Sequence, residues 1–152
     1  MIAPPVACVV DASVGIKLVV AEALSNEAHA LFAHLARDPA ARFYVPDLFD
    51  LECANVLWKQ TQRAGYPLAD ARLNLATLVA LALQRLPVTT LATDALTIAA
   101  NHRISAYDAC YVAASQRQGV PLITADTKLV TKMAGTPYTV LFLGSLAIPP
   151  PP

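Results

Sequence analysis

Four acidic residues stand where this chain gives little other reason for charge: Asp11, Glu52, Asp108 and Asp126. Asp11 closes the apolar run Val6-Ala7-Cys8-Val9-Val10, and Asp126 closes Pro121-Leu122-Ile123-Thr124-Ala125. Glu52 lies near the start of the helical stretch Leu51–Lys59, and Asp108 follows Ser105-Ala106-Tyr107, where another helix begins. Only 14% of residues are charged, and a carboxylate is costly to bury unless it is paired or bound to metal. Taken singly, each acid has a plain explanation. Asp11 and Asp126 can cap the helices that follow, Asp108 can answer Ser105 in a capping box, and Glu52 can sit on the face of an amphipathic helix. Taken together, four converging carboxylates would repel and raise one another's pKa values, and hard divalent ions such as Mg²⁺ relieve that repulsion through oxygen ligands. Two ions about 3.5–4 Å apart are the arrangement used for in-line phosphodiester hydrolysis. Ser13 and Thr124, each two residues from an acid, can orient the ligating carboxylates through their hydroxyls. Asn55 falls one turn after Glu52 on the same helix face and can reach Glu52 or a phosphate. A helix-surface amide accounts for Asn55 equally well.

The elements that must carry these residues follow from apolar spacing and from the breakers. Val6–Val10 reads as a short buried strand, and Asp11-Ala12-Ser13 turns the chain into a helix over about Val14–Ala21. A helix starts at Ser25-Asn26-Glu27 and runs to about Arg37, where Pro39 ends it. Arg42–Val45 is a second strand. Asp47 can cap the helix that carries Glu52 to about Arg63, stopped by Gly65. A helix over Leu68 to about Leu86 presents Leu75, Leu78, Val79, Ala82 and Leu86 on one face. After Pro87, Val88-Thr89-Thr90 reads as a third strand, and Thr93-Asp94 starts a helix to about His102. Ser105 caps a helix over Ala106–Gln118 that Gly119 terminates. Leu122–Thr124 is a fourth strand, Thr127–Met133 a short helix, and Thr139–Leu143 the last strand. Strands alternating with helices predict an α/β fold on a mostly parallel sheet, in which ligands gather beyond the carboxyl ends of the strands. Asp11 and Asp126 stand at those ends, and Glu52 and Asp108 lie in the first turns of helices able to start at the same rim.

Bulk composition narrows the class. The 152 residues suit one domain, with residues 1–147 as the folded part and 148–152 as a proline-rich tail that cannot continue a helix or central strand. Apolar residues make up 56% and mean hydropathy is +0.48, an excess that points to a partner or equally to an Ala- and Leu-rich helical protein. Lys plus Arg number 11 and Asp plus Glu number 11, so no basic face announces nucleic acid. Bound Mg²⁺ would shift that balance locally. Cys8, Cys53 and Cys110 form no C-x-x-C pair and lie in apolar stretches, so buried thiols in a reducing compartment are expected. His29, His34 and His102 show no metal-ligand spacing with them. The N-terminus lacks a basic signal-peptide start, and no apolar run reaches the ~18 residues of a membrane span. A soluble, cytoplasmic protein is expected.

The stretches Val10–Val14, Leu51–Leu57, Ile104–Tyr111 and Pro121–Asp126 resemble, in order, the four acidic motifs of PIN-domain ribonucleases, and most of all those of the VapC toxins of VapBC toxin–antitoxin pairs. The S-x-Y-D-A segment followed by G-x-P-L-x-T-x-D is the most specific part of the likeness. The resemblance covers nearly the whole chain. It implies a three-layer α/β/α PIN-like fold with about five strands and Mg²⁺- or Mn²⁺-dependent endoribonuclease activity on a structured cellular RNA, through one or two ions. It also implies a homodimer and a cognate VapB-like antitoxin whose C-terminal segment blocks the site. By position it assigns Asp11, Glu52, Asp108 and Asp126 as catalytic acids and metal ligands, with Ser13 and Thr124 at the usual hydroxyl positions. In the absence of a basic face, RNA contacts fall to the metals and to scattered Lys17, Lys59, Arg103 and Lys128.

Other readings have weaker footing. A haloacid-dehalogenase phosphatase using Asp11 needs a second acid two residues on, where this chain has Ser13. A receiver domain needs an acidic pair after strand one. A metal-free interaction module on the same fold would have no need of the full acid set. Tyr107 and Tyr111 flank Asp108 at helical spacing, and packing is a more ordinary use for them than base stacking.

Overall fold

The computed structural model describes residues 1–149. Five short strands form one sheet: β1 (Ala7–Val10), β2 (Arg42–Pro46), β3 (Gln84–Leu86), β4 (Leu122–Thr124) and β5 (Val140–Phe142), in the order β3-β2-β1-β4-β5. Every pairing is parallel. Seven helices connect and cover them: α1 (Ala12–Gly15), α2 (Ser25–Arg37), α3 (Phe49–Arg63), α4 (Leu68–Val79), α5 (Ala92–His102), α6 (Ala106–Gln118) and α7 (Thr127–Met133). The chain thus has the expected α/β architecture. The central strands β1 and β4 are apolar without alternation and nearly wholly buried, as strands covered on both faces must be. Helix α6, buried through Ala109–Ser115, crosses β1 and β2.

The strand order reverses beside β1, between β2 and β4, so a crevice opens beyond the carboxyl ends of β1 and β4. Helix α1 starts there and a 3₁₀ turn over Ile16–Leu18 extends it, replacing the expected longer helix. Gly15 lets α1 lie flat on α3, because a Cβ at that position would meet the buried ring of Phe49. That close approach brings the Asp11 and Glu52 segments to one rim.

Several expectations need correction. The third strand lies at Gln84–Leu86, and Val88–Thr90 is a 3₁₀ turn. Helix α4 accordingly ends at Val79 instead of near Leu86. The physical reason is Arg85. Its guanidinium grips Asp50 with bonds of 2.7 and 2.8 Å and donates to the carbonyls of Leu78 and Val79 at the end of α4, while its backbone pairs with Val45. Asp47 is not the cap of α3: its carboxylate accepts from the backbone N–H of Val88 at 3.0 Å and holds the turn after β3. Val79, placed on the apolar face of α4, is half exposed. Helices α6 and α7 and strand β4 have the bounds expected of them. Ile2 bridges to Leu146, its N–H donating to the Ser145 carbonyl and its carbonyl accepting from the Ala147 N–H, which ties the two ends of the described chain together. The last three prolines of the tail lie outside the described residues.

Candidate active site

Asp11 closes β1 and is 7% exposed. Its Oδ1 accepts the Ser13 hydroxyl at 2.5 Å and the Val14 N–H at 3.3 Å, so it does cap α1. Ser13 in turn accepts the N–H of Ala125 at 2.9 Å and lies 3.3 Å from the Thr124 hydroxyl. Thr124 is fully buried and accepts the N–H of Asp126 at 3.0 Å. Two hydroxyls therefore rivet the end of β1 to the end of β4 and set the spacing of Asp11 and Asp126. Asp126 also caps its helix, accepting from Lys128 and Leu129 N–H at 2.9 and 3.3 Å. In both aspartates the residue that follows the strand also caps the next helix.

Asp108 sits in the first turn of α6, whose N-cap Ser105 accepts the Asp108 N–H at 3.0 Å. It shares a cleft of about 160 Å³ with Asp126, lined also by Ile104, Lys128 and Lys132. Glu52 opens onto a neighbouring groove of about 640 Å³ formed by Leu48, Leu51, Ala54, Asn55, Trp58 and Tyr107. A further hollow of about 340 Å³ near Ser115, Gly119 and Tyr138 contains no acid and lies at the amino ends of β4 and β5.

Repulsion links Asp11, Glu52 and Asp108, and Asp108 with Asp126. Burial lifts the Asp11 pKa to about 6 against the pull of Ser13, Thr124 and Val14, and Asp108 adds repulsion. Glu52 is raised by burial, held down by the Tyr111 hydroxyl, and raised again by Asp11 and Asp108. Asp108 is raised by burial and by Asp126, with Ser105 and Lys132 opposing. Yet the four side chains do not form a ready cage: among the described residues no group of three or more His, Cys, Asp or Glu stands in metal-holding geometry. Asp108 and Asp126 share one cleft, Glu52 faces another groove, and Asp11 lines neither. Like charges gain by staying apart. The donor set still fits a hard divalent cation, being all carboxylate oxygen. In addition, Glu52 Oε1 is buried with no hydrogen-bond partner.

The remaining residues separate. Asn55 is exposed on the groove beside Glu52. Lys128 is exposed at the acid cleft, Lys59 is exposed on α3, and Arg103 is exposed after α5 in a left-handed conformation. Lys17 is not a surface cation: its side chain is 9% exposed and pairs with Glu22 at 2.7 Å. Lys132 is the cation that sequence reasoning missed. It lines the acid cleft and bonds to the Arg103 carbonyl at 2.9 Å. Its spacing of four residues from Lys128, on the helix behind Asp126, was the available signal. Tyr111 is 1% exposed and Tyr107 67% exposed, so one packs in the core and the other borders the Glu52 groove.

The profile of the PIN domain matches residues 8–134, and the chain belongs to the PIN-domain family. A VapC ribonuclease of Mycobacterium bovis is 42% identical over 103 residues, 67% of this chain and 80% of that protein. Ribonuclease VapC3 of Pyrobaculum aerophilum is 34% identical over 127 residues, 82% of this chain and 92% of its own length. Within the family, then, this chain is a member of the VapC ribonuclease group. A toxin–antitoxin complex from Klebsiella pneumoniae shares its fold, with a TM-score of 0.59 at 20% identity over 90% of this chain and 97% of that one.

Proposed function

We propose that this chain is a Mg²⁺- or Mn²⁺-dependent endoribonuclease, the toxin of a type II toxin–antitoxin pair, with Asp11, Glu52, Asp108 and Asp126 as its acid set. The reading is supported by one observation above others: in a VapC-group chain, these four acids come from strand ends and first helical turns, with Asp11, Glu52 and Asp108 repelling one another and Asp126 repelling Asp108. Asp11, oriented by Ser13 and Thr124, and Asp126, oriented by its own helix, hold two sides of the crevice. Asp108 and Glu52 offer carboxylates from α6 and α3. One or two ions held there would supply an acidified water and neutralise charge on the phosphate. Thr124 and Ser13 keep the Asp11 carboxylate fixed while Asn55 is available to a phosphate or to Glu52. Lys128, with Lys132 beside it, would meet the RNA backbone at the cleft, and Lys59 and Arg103 would do so further out.

The partners belong to the same reading. A cognate VapB-like antitoxin would cover the site, and the kinship of fold with a toxin–antitoxin complex supports that role. A homodimer fits the exposed Leu68, Leu73 and Leu96. No helix among the described residues is long and apolar enough to cross a membrane, and three free buried cysteines suit the reducing cytoplasm, where RNA is met. The test is direct. Purified chain is incubated with total RNA in Mg²⁺ or Mn²⁺, alongside Asp11→Asn and an EDTA control. Discrete cleavage by the wild type alone, abolished by EDTA, is expected. Equal RNA decay with Asp11→Asn, or no cleavage in either metal, overturns the reading.

A further inference from the structure

The acids of the crevice are not held alike. Asp11 accepts bonds from Ser13 and Val14, and Asp126 accepts them from Lys128 and Leu129. No hydrogen bond from any described residue reaches the Glu52 carboxylate, and its Oε1 is buried without a partner. The second buried side-chain atom in that condition is the hydroxyl of Tyr111. Tyr111 follows Asp108 by three residues on α6, and its side chain is 1% exposed. The two orphaned groups are neighbours, near enough for the hydroxyl to hold the Glu52 pKa down, although no bond of good geometry joins them.

Leaving a buried hydroxyl without a partner is costly, and leaving a carboxylate oxygen so is costlier. A phenylalanine would fill the same volume without that cost. The hydroxyl has one proton to give and the carboxylate only accepts, so a small turn of either side chain satisfies both. We propose that Tyr111 is the positioning residue for Glu52: its hydroxyl donates to the carboxylate and sets the direction in which Glu52 faces the other acids. This inference rests on the acid-site reading above. Tyr111 touches neither RNA nor ion. It acts only through Glu52.

The test uses the full chain as wild type, Tyr111→Phe, Glu52→Gln and the double variant. Mn²⁺ affinity is read from the electron-paramagnetic signal of the free ion, and RNA cleavage is measured on the same samples. Loss of an outer hydrogen bond to a metal ligand typically weakens binding 10–100-fold. Tyr111→Phe is expected to weaken Mn²⁺ binding roughly tenfold and to lower kcat with KM for RNA unchanged. In the Glu52→Gln background the same substitution should change nothing further. Wild-type Mn²⁺ affinity in Tyr111→Phe, or an equal loss in the presence and absence of Glu52, overturns the proposal. Glu52→Gln with undiminished Mn²⁺ affinity and cleavage is a different result and overturns the acid-site reading itself. Should Tyr111→Phe not fold, the near-ultraviolet tyrosine band of the metal-free wild type is compared with that of Glu52→Gln. A shift between them supports the contact, and superimposable bands overturn it.

Discussion

Asp11 is the residue on which the chemistry and the stability of this chain meet. Its pKa is lifted from 3.8 to about 6, chiefly by burial, so folding favours its protonated form. The stabilisation that this proton brings is complete below about pH 4 and is lost as pH rises through about 6. A lift of this size corresponds to ~2–3 kcal/mol. Metal-free wild type should therefore melt at a lower temperature at pH 7.5 than at pH 5. Asp11→Asn keeps an oxygen for Ser13 and Val14 but carries no charge, and should lose most of that difference in thermal melts. An unchanged pH dependence would assign the titration to other groups. Glu52 and Asp108 are raised in the same direction and set the remainder. The basic residues separate in the same way. Lys128→Gln combined with Lys132→Gln should raise KM for RNA and flatten its salt dependence, because both side chains line the acid cleft. Lys17→Gln should leave KM alone and lower stability, since Lys17 is buried against Glu22. Cleavage measured across a salt series distinguishes the two cases.

At the scale of elements, two contacts position the acids. Gly15 allows α1 to lie against Phe49 of α3. Gly15→Ala should destabilise the fold by ~1–3 kcal/mol in urea unfolding and reduce cleavage with it. Stability equal to wild type would show that Phe49 can give way. The Arg85 fork to Asp50 joins β3, α3 and the end of α4, and it marks where the sequence is hard to read. Leu81-Ala82-Leu83-Gln84-Arg85-Leu86 has the composition of a helix, and only the edge pairing with β2 makes its second half a strand. Nothing local signals that pairing. Nor does the sequence around Asp47 reveal that its carboxylate turns from α3 to the N–H of Val88, a residue 41 positions away. Local rules succeeded where local forces decide. Ser105 caps α6 and Gly119 closes it in a left-handed conformation, and Asp126 caps α7. Strand β4 was equally plain, because a run buried on both faces has no alternation to misread. Of the site, the placement of Asp11 and Asp126 after strands and of Glu52 and Asp108 in the first turns of their helices was legible. The splay of their side chains, the orphaned Tyr111–Glu52 pair, the burial of Lys17 and the role of Lys132 were not, because each depends on contacts between distant elements.

At the scale of the molecule, Leu68 and Leu73 on α4 and Leu96 on α5 are 68%, 67% and 67% exposed. Exposed apolar patches mark interfaces. The chain should sediment as a dimer at micromolar concentration, and a monomer there would contradict the proposed homodimer. In the proposed function, acids from four separate elements serve one cation site. The most direct measurement is Mn²⁺ binding by the wild type and by Asp11→Asn, Glu52→Gln, Asp108→Asn and Asp126→Asn, each verified as folded. Saturable binding by the wild type, weakened in all four variants, is the predicted result. Wild-type affinity retained by all four variants would contradict it.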